Sequence, residues 1–322
     1  MAIRAMLLHN PLAGRFPSYR LVARAARIFE RHGWQTDIHS VTAPEHVADR
    51  ARDAARAGYQ VVVAAGGDGT AGQVAAGLAG SQTALAVLPS GTGNVWAQEL
   101  HLPRLAWFDW LALDRAAVAL VQGRIHRIDV GRCNGEVFLL WAGVGLDAIV
   151  VRRKEPVRRW HRQFAMGSYF ATAVWSALDW HGVDLVVRTE SREIQGHYLL
   201  AVVTNIHAYG GGLFQLAPDA RVDDGWLDLW LFGGRSFPET LQRAWTLFTG
   251  RHVSDPNIQR IGFHRLTLHA DSPAGIQVDG EPRQGRFPVE IEVWPRALNV
   301  LVPAEAPRTL FVDGVGEALH EA

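Results

Sequence analysis

The chain has 322 residues, room for two domains that each bury a core, and its 32 basic and 32 acidic residues cancel, so no global field recruits nucleic acid. A single cysteine, Cys133, excludes an internal disulfide framework and a thiolate metal site, and reads as a small core residue in a reducing, cytoplasmic setting. Lys154 is the sole lysine, which removes a Walker-type phosphate lysine, and no window approaches the roughly 18 uninterrupted apolar residues of a membrane span.

Met1–Leu8 carries an arginine inside an apolar stretch too short for a signal region, so a soluble or peripheral protein is expected. Ile3–Leu8 reads as a strand that delivers the turn Asn10-Pro11-Leu12-Ala13-Gly14. Tyr19–Arg31 reads as helix, Gln35–Val41 as extended, Pro44–Ala57 as helix and Val61–Ala65 as a buried β-branched strand. Gly66-Gly67-Asp68-Gly69-Thr70 follows, with Ala71-Gly72 opening the next helix. Ala84–Leu88 is the next strand; it leads through Pro89-Ser90-Gly91-Thr92-Gly93-Asn94 to a helix beginning near Val95. Strands alternating with helices argue for a parallel sheet whose strand ends carry three polar, glycine-bearing turns on one edge, where ligands of such sheets bind.

After Arg124 the texture changes to short extended pieces separated by turn residues: Ile125–Val130, Val137–Leu140, Leu185–Arg188, Tyr198–Val203, Leu227–Phe232, Arg265–Ala270, Val289–Trp294 and Leu298–Val302. This is the pattern of an antiparallel sandwich or barrel, interrupted by one helical insert at Phe164–Asp179. The expected division is a nucleotide-binding α/β domain over 1–124 and a β-sandwich domain over 125–303, with the tail 304–322 and its apolar Thr309–Val312 packing back on the first.

The turn Gly66–Thr70 carries the first chemical signal. Glycines admit a close backbone approach, and a helix N-terminus offers unpaired N–H groups to an anion. Asp68 in the same turn would repel phosphate directly, so it is expected to act through a cation or to take a proton from an attacking hydroxyl, which points to kinase chemistry. Asp279-Gly280-Glu281 puts two carboxylates around a glycine, suited to a proton acceptor and an Mg²⁺·ATP contact, and equally to a solvated hairpin tip. There is no HExxH and no Cys/His ligand spacing for zinc, and no G-x-S-x-G nucleophile elbow.

Asn10–Gly14, Gly66–Thr70 and Gly91–Asn94, followed by Gly143–Ala148, Gly210-Gly211-Gly212, Asp224–Asp228 and Asp279–Glu281, give the chain an ordered motif set that resembles the diacylglycerol kinase catalytic-domain superfamily, in particular bacterial lipid kinases related to diacylglycerol and sphingosine kinases. The resemblance spans nearly the whole chain. It implies ATP as phosphate donor and a lipid hydroxyl as acceptor, with the active site in a cleft between the domains and a place in phospholipid metabolism. It implies nucleotide contacts at Asn10, Pro11, Leu12, Ala13, Gly14, Thr42, Gly66, Gly67, Asp68, Gly69, Thr70, Ala71, Gly72, Gly91, Thr92, Gly93 and Asn94. Asp279 is the implied general base, with Glu281 beside it; Asp68 competes for the proton. Arg221 and Trp226, through carbonyls, and Asp224, through its side chain, are the implied ligands of a structural Mg²⁺. The chain departs from many members at Val95, where they carry an acidic residue, so no acidic metal role is carried to that turn.

Six basic residues within Arg152–Arg162, followed by Phe164, Met166, Tyr169, Phe170, Trp175 and Trp180, read either as an interfacial segment for anionic lipid or as a solvated loop leading into a core helix. The partners expected are therefore a lipid substrate met peripherally at a membrane surface, no nucleic acid and, as a further option, a second copy in a homodimer. The alternative functions are an NAD kinase, which shares a Gly-Gly-Asp-Gly-Thr turn, and a non-catalytic nucleotide- or lipid-binding regulator.

Overall fold

A computed structural model describes residues 2–14, 16–43, 46–106, 108–146, 148–149, 180–271 and 274–312. The chain divides into two compact units, one formed by Met1–Val130, Arg221–Asp224 and Pro295–Ala322, the other by Gly131–Ala220 and Gly225–Trp294. The helical insert expected at Phe164–Asp179 and the basic stretch from Arg152 lie outside the described residues, as does Asp147 of the Gly143–Ala148 motif.

In the first unit, strands β1 (Arg4–His9), β2 (Gln35–Ser40), β3 (Val61–Gly66) and β4 (Ala84–Pro89) alternate with helices α1 (Tyr19–Arg31), α2 (Val47–Arg56), α3 (Asp68–Leu78) and α4 (Val95–Glu99), and α5 (Ala112–Val121) follows. The strand pairs β2–β1, β1–β3 and β3–β4 are all parallel, so the turns after β1, β3 and β4 leave the same edge. Every residue of β3 and β4 is buried, as a parallel strand covered on both faces requires, whereas β2 is exposed at the sheet edge. Helix α1 buries Val22, Ala25, Ala26 and Phe29 at helical spacing, and Phe29 stacks on Trp34 with centroids 4.8 Å apart. α3 begins at Asp68, three residues before the expected start at Ala71. Gly67 stays extended as its cap, and an acidic residue in the first turn suits the helix dipole.

The second unit follows from β5 (Arg124–Cys133), whose last residues pair with β6 (Glu136–Phe138), through β7 (Trp141–Gly145), β8 (Val183–Thr189), β9 (Glu193–Thr204), the short pair β10 (Ala208–Tyr209) and β11 (Phe214–Gln215), and β12 (Leu227–Gly233). Helix α6 (Phe237–Phe248) comes next, then β13 (Ile258–Phe263), β14 (Arg265–Ala270), β15 (Ile276–Val278), β16 (Glu281–Arg283) and β17 (Val289–Val302). β9 is the hub of this unit, antiparallel to β7, β8 and β12. Its core gathers Phe138, Val144, Leu185, Val203, Leu229, Phe263, Leu268, Ile276 and Ile291 around Cys133, whose thiol burial pushes up to about 12. Cys133 is thus the small core residue expected of it. The fold is the expected one, an α/β unit with a parallel sheet followed by a mainly antiparallel β unit.

The limits of the units differ from 124 and 303. β5 and β17 run further than their apolar cores suggest, and the chain changes unit inside each, after Val130 and after Trp294. Val289–Trp294 and Leu298–Val302 form a single strand across Pro295 and the positive-φ Arg296. The short segment Arg221–Asp224 also belongs to the first unit. Asp129 N–H donates to Val222 O at 2.6 Å, and Val222 N–H to Leu310 O at 3.0 Å. His126 Nε2 meets Asp223 Oδ2 at 2.8 Å, Val312 N–H donates to Asp223 Oδ1 at 2.8 Å, and the buried Phe311 ring packs edge-on against His126.

Candidate active site

The three expected turns of the first unit are brought together, and their glycines serve the contact between turns. A Cβ on Gly91 would lie 2.3 Å from the Gly67 Cα, and one on Gly14 would lie 2.0 Å from the Ser90 carbonyl oxygen. Gly14 also holds φ +74°, the left-handed region that favours glycine. Polar side chains complete the links. Asn10 Nδ2 donates to Thr70 Oγ1 at 3.1 Å while its Oδ1 accepts Leu12 N–H at 2.9 Å. Asn94, buried and left-handed at φ 54°, closes its own turn by accepting Gly91 N–H and donating to Gly91 O. The Gly66 carbonyl accepts from both Ser90 and Gly91 N–H, tying the turn after β4 to the end of β3.

Asp68 does not project alone into this space. Its Oδ1 accepts Val95 N–H at 2.5 Å and Trp96 N–H at 3.3 Å, so it caps α4 from the first turn of α3. Burial pushes its carboxyl up to about 6, opposed by the backbone N–H groups of Trp96, Val95 and Asn94, although the residue as a whole keeps some exposure. The first-turn N–H groups of α3 lack intrahelical partners by helix geometry and sit behind a glycine cap, an arrangement that receives an anion. The buried Ser90 Oγ beside them has no protein partner. In the sequence it was one more turn residue; burial alone singles it out.

Thr42 lies just beyond β2 and lines a polar cavity of about 510 Å³ with Ser40, His46, Asp49, Arg50 and Asp53. Near the end of β1, His9 is buried between Ser40 and Ser18, its ring nitrogens 3.2 Å and 3.0 Å from their hydroxyls, and burial holds its pKa down.

In the second unit, Asp279-Gly280 is the two-residue turn between β15 and β16, both residues at positive φ, 48° and 81°. The hairpin-tip reading holds for the backbone; the carboxylate itself is engaged. It accepts Leu139 N–H and Leu140 N–H at 2.8 Å and Trp141 N–H at 3.2 Å, while Asp279 N–H donates to Trp141 O. A carboxylate has about four lone-pair positions, and these amides take three of them. The fully buried Gln277 accepts Gly280 N–H at 2.8 Å and sets the turn. Glu281 is half-exposed, 3.5 Å from Arg283, and Arg283 in turn pairs with Glu136, which raises its pKa. The anchors of Asp279 are backbone amides of the β6–β7 connection, a kind of partner that no side-chain pattern signals.

Of the expected metal ligands, Arg221 and Asp224 fold with the first unit and Trp226 with the second. Asp224 is exposed, its neighbour Asp223 is taken up by His126 and Val312, and the Arg221 guanidinium donates to Phe311 O at 3.1 Å. Among the described residues no three His, Cys, Asp or Glu side chains converge on a metal position. One exposed carboxylate with chain carbonyls and water is nonetheless a donor set that Mg²⁺ accepts.

Two family models match the chain in succession. The diacylglycerol kinase catalytic domain covers residues 4–133, and the YegS C-terminal NAD kinase beta sandwich-like domain covers residues 141–302. A diacylglycerol kinase of Bacillus subtilis (strain 168) is 28% identical over 310 residues, 95% of this chain and 99% of that protein. A diacylglycerol kinase of Staphylococcus saprophyticus is 28% identical over 322 residues, 97% of this chain and 100% of that protein. The crystal structure of a diacylglycerol kinase from Bacillus anthracis str. Sterne superposes with a TM-score of 0.72 at 17% identity, over 94% of this chain and 98% of that one, a likeness of fold. Because the first model takes in all three turns of the parallel sheet and the second takes in the Asp279 hairpin, the chain belongs to the diacylglycerol kinase catalytic-domain family, a family of lipid kinases.

Proposed function

We propose that the protein transfers the γ-phosphate of ATP to the hydroxyl of a lipid such as diacylglycerol or a sphingoid base. The observation that carries this reading is the interlocked set of turns after β1, β3 and β4, with Gly67 capping α3 and the α3 N-terminus at its centre. Those turns hold the phosphates through backbone N–H groups, with Asn10, Thr70, Thr92 and Asn94 as polar neighbours. Thr42 and the cavity beside it receive another part of the nucleotide.

Asp68 keeps the turn after β4 in position through α4, and Asp279 takes the proton of the attacking hydroxyl. Glu281 stands beside it for the Mg²⁺·ATP complex. Asp224, with the carbonyls of Arg221 and Trp226, would hold a structural Mg²⁺, which supplies charge and rigidity to its loop. Positioning and charge neutralisation provide most of the rate in phosphoryl transfer, and a positioned base adds on the order of 10²–10⁴.

Labelled ATP supplied to the protein with total bacterial lipid, and separately with NAD, tests the reading. Label recovered in a chloroform-soluble phospholipid is the expected result. Label in NADP with none in lipid would replace it with an NAD kinase, and transfer to neither would favour a binding regulator.

A further inference from the structure

Helix α6 of the second unit has an outward stripe that packing does not call for. Its inward side is fixed: Leu247 is buried, and the buried Arg243 guanidinium pairs with Asp255 at 2.7 Å and donates to Gly233 O at 3.1 Å. Its start is fixed as well, since Arg235 N–H and Ser236 Oγ both donate to the Glu239 carboxylate and Pro238 occupies the first turn. The opposite face shows Leu241, Trp245 and Phe248 at i, i+4 and i+7. With Leu213 before β11 and Val253 after the helix, these side chains are between 41% and 68% exposed. Trp245 and Phe248 stack 6.0 Å apart, and Phe214 meets Phe248 edge-on, so the aromatic rings are held in place.

The composition around the stripe narrows what can cover it. From Thr240 to Ser254 there is no acidic residue, and Arg251 is exposed in the short turn that follows the helix. A surface of Trp, Phe and Leu bordered by Gln, Thr, Ser and one Arg is at home at the boundary between headgroups and acyl chains, and its lone exposed charge is complementary to anionic lipid. Taking about 200 Å² for a whole side chain of this size, the five residues expose on the order of 500 Å². That is less than the roughly 800 Å² per partner of a stable dimer. Contact with a bilayer has no such threshold.

Building on the lipid-kinase reading, we propose that the α6 stripe is the surface by which this protein docks on an anionic membrane, with Trp245 and Phe248 entering the headgroup region and Arg251 facing the phosphates. The test is sedimentation with sucrose-loaded vesicles of phosphatidylglycerol and phosphatidylethanolamine, without ATP, comparing the parent with the double variant Trp245→Ser/Phe248→Ser. The parent should co-sediment, and the double variant should partition about tenfold less or worse, while Trp245→Phe retains binding. Turnover of a short-chain, monomeric diacylglycerol should stay within about twofold in the variant, because neither residue belongs to the catalytic turns. Equal partition of parent and double variant would overturn the proposal. So would a fall from twice the chain mass to the chain mass in equilibrium sedimentation, which would assign the stripe to a second copy. Stripe-dependent vesicle binding by a protein that phosphorylates no lipid would leave docking intact and remove the lipid-kinase reading instead.

Discussion

At Asp68 and Asp279, carboxylates that look alike in sequence are held by different environments and should answer the same substitution differently. Burial lifts the Asp68 carboxyl to about 6, above its ordinary 3.8, so the folded protein keeps that proton longer than the unfolded chain does. The ionised form is therefore a cost to the fold above about pH 6, and the cost disappears as pH falls below about 4, where both states are protonated. Asp68→Asn keeps an oxygen for the Val95 and Trp96 N–H groups; it should melt higher than the parent at pH 7–8, with the difference closing toward pH 4. Asp279 offers acceptors on both oxygens, to Leu139 on one side and to Leu140 and Trp141 on the other. An amide there turns one acceptor into a donor aimed at an N–H, so Asp279→Asn should lose about 1–3 kcal/mol of stability. It should also lose roughly 10²-fold or more in kcat, with ATP affinity nearly unchanged. Melting curves across pH, read beside kcat and ATP binding for both variants, check these outcomes; an Asp279→Asn enzyme of parental kcat would move proton transfer to Asp68.

Among the elements, the turns after β3 and β4 depend on each other more than either depends on solvent. A Cβ at Gly91 meets the Gly67 Cα and N and the Asn94 Oδ1, two of them backbone atoms that cannot swing aside. Gly91→Ala should cost about 1–3 kcal/mol and weaken ATP binding, whereas Gly280→Ala, with nothing near its Cβ site, should affect stability mainly through its positive φ. Thermal melts and ATP titrations of the two separate steric from conformational effects. The same elements show what a sequence can carry. β3 and β4 were legible because a doubly covered parallel strand is apolar at every position, and α1 because its buried residues recur at helical spacing. α6 was not, since its inward side is mostly polar, Thr240 and Arg243 beside Leu247, and its apolar stripe of Leu241, Trp245 and Phe248 faces outward, the reverse of the pattern by which a core helix is read. β17 was split in two because Pro295 reads as a strand end, although the strand runs on through it, pairing with β14 before it and with β4 after it. The three turns could be placed on one edge from the order of strands and helices. The anchors of Asp279 and the cap that Asp68 provides could not, because both are made to backbone N–H groups distant in the chain.

Over the whole molecule, the first unit is assembled from three stretches of chain, and the contacts of Asp223 draw them together. It is buried, it faces His126 from the first stretch, and it accepts the Val312 N–H from the last. Asp223→Ala strands both partners and should destabilise the first unit by about 3–5 kcal/mol, while Asp223→Asn, which can still accept one bond, should lose less. Urea melts followed by limited proteolysis would show it, and equal midpoints for parent and alanine variant would dismiss this tie. The three-stretch construction also bears on how the protein is made. A ribosome delivers Met1–Val130 early, yet the strand segment that pairs with β4 and the buried Leu310 and Phe311 arrive only after the whole of the other unit has been synthesised. At roughly 5–20 residues per second the early stretch waits on the order of ten seconds or more for its closing pieces, with an apolar sheet edge open to other chains. The part of the protein that is translated first is the part that finishes folding last, and its yield should therefore follow the supply of chaperone more closely than that of the unit encoded in the middle.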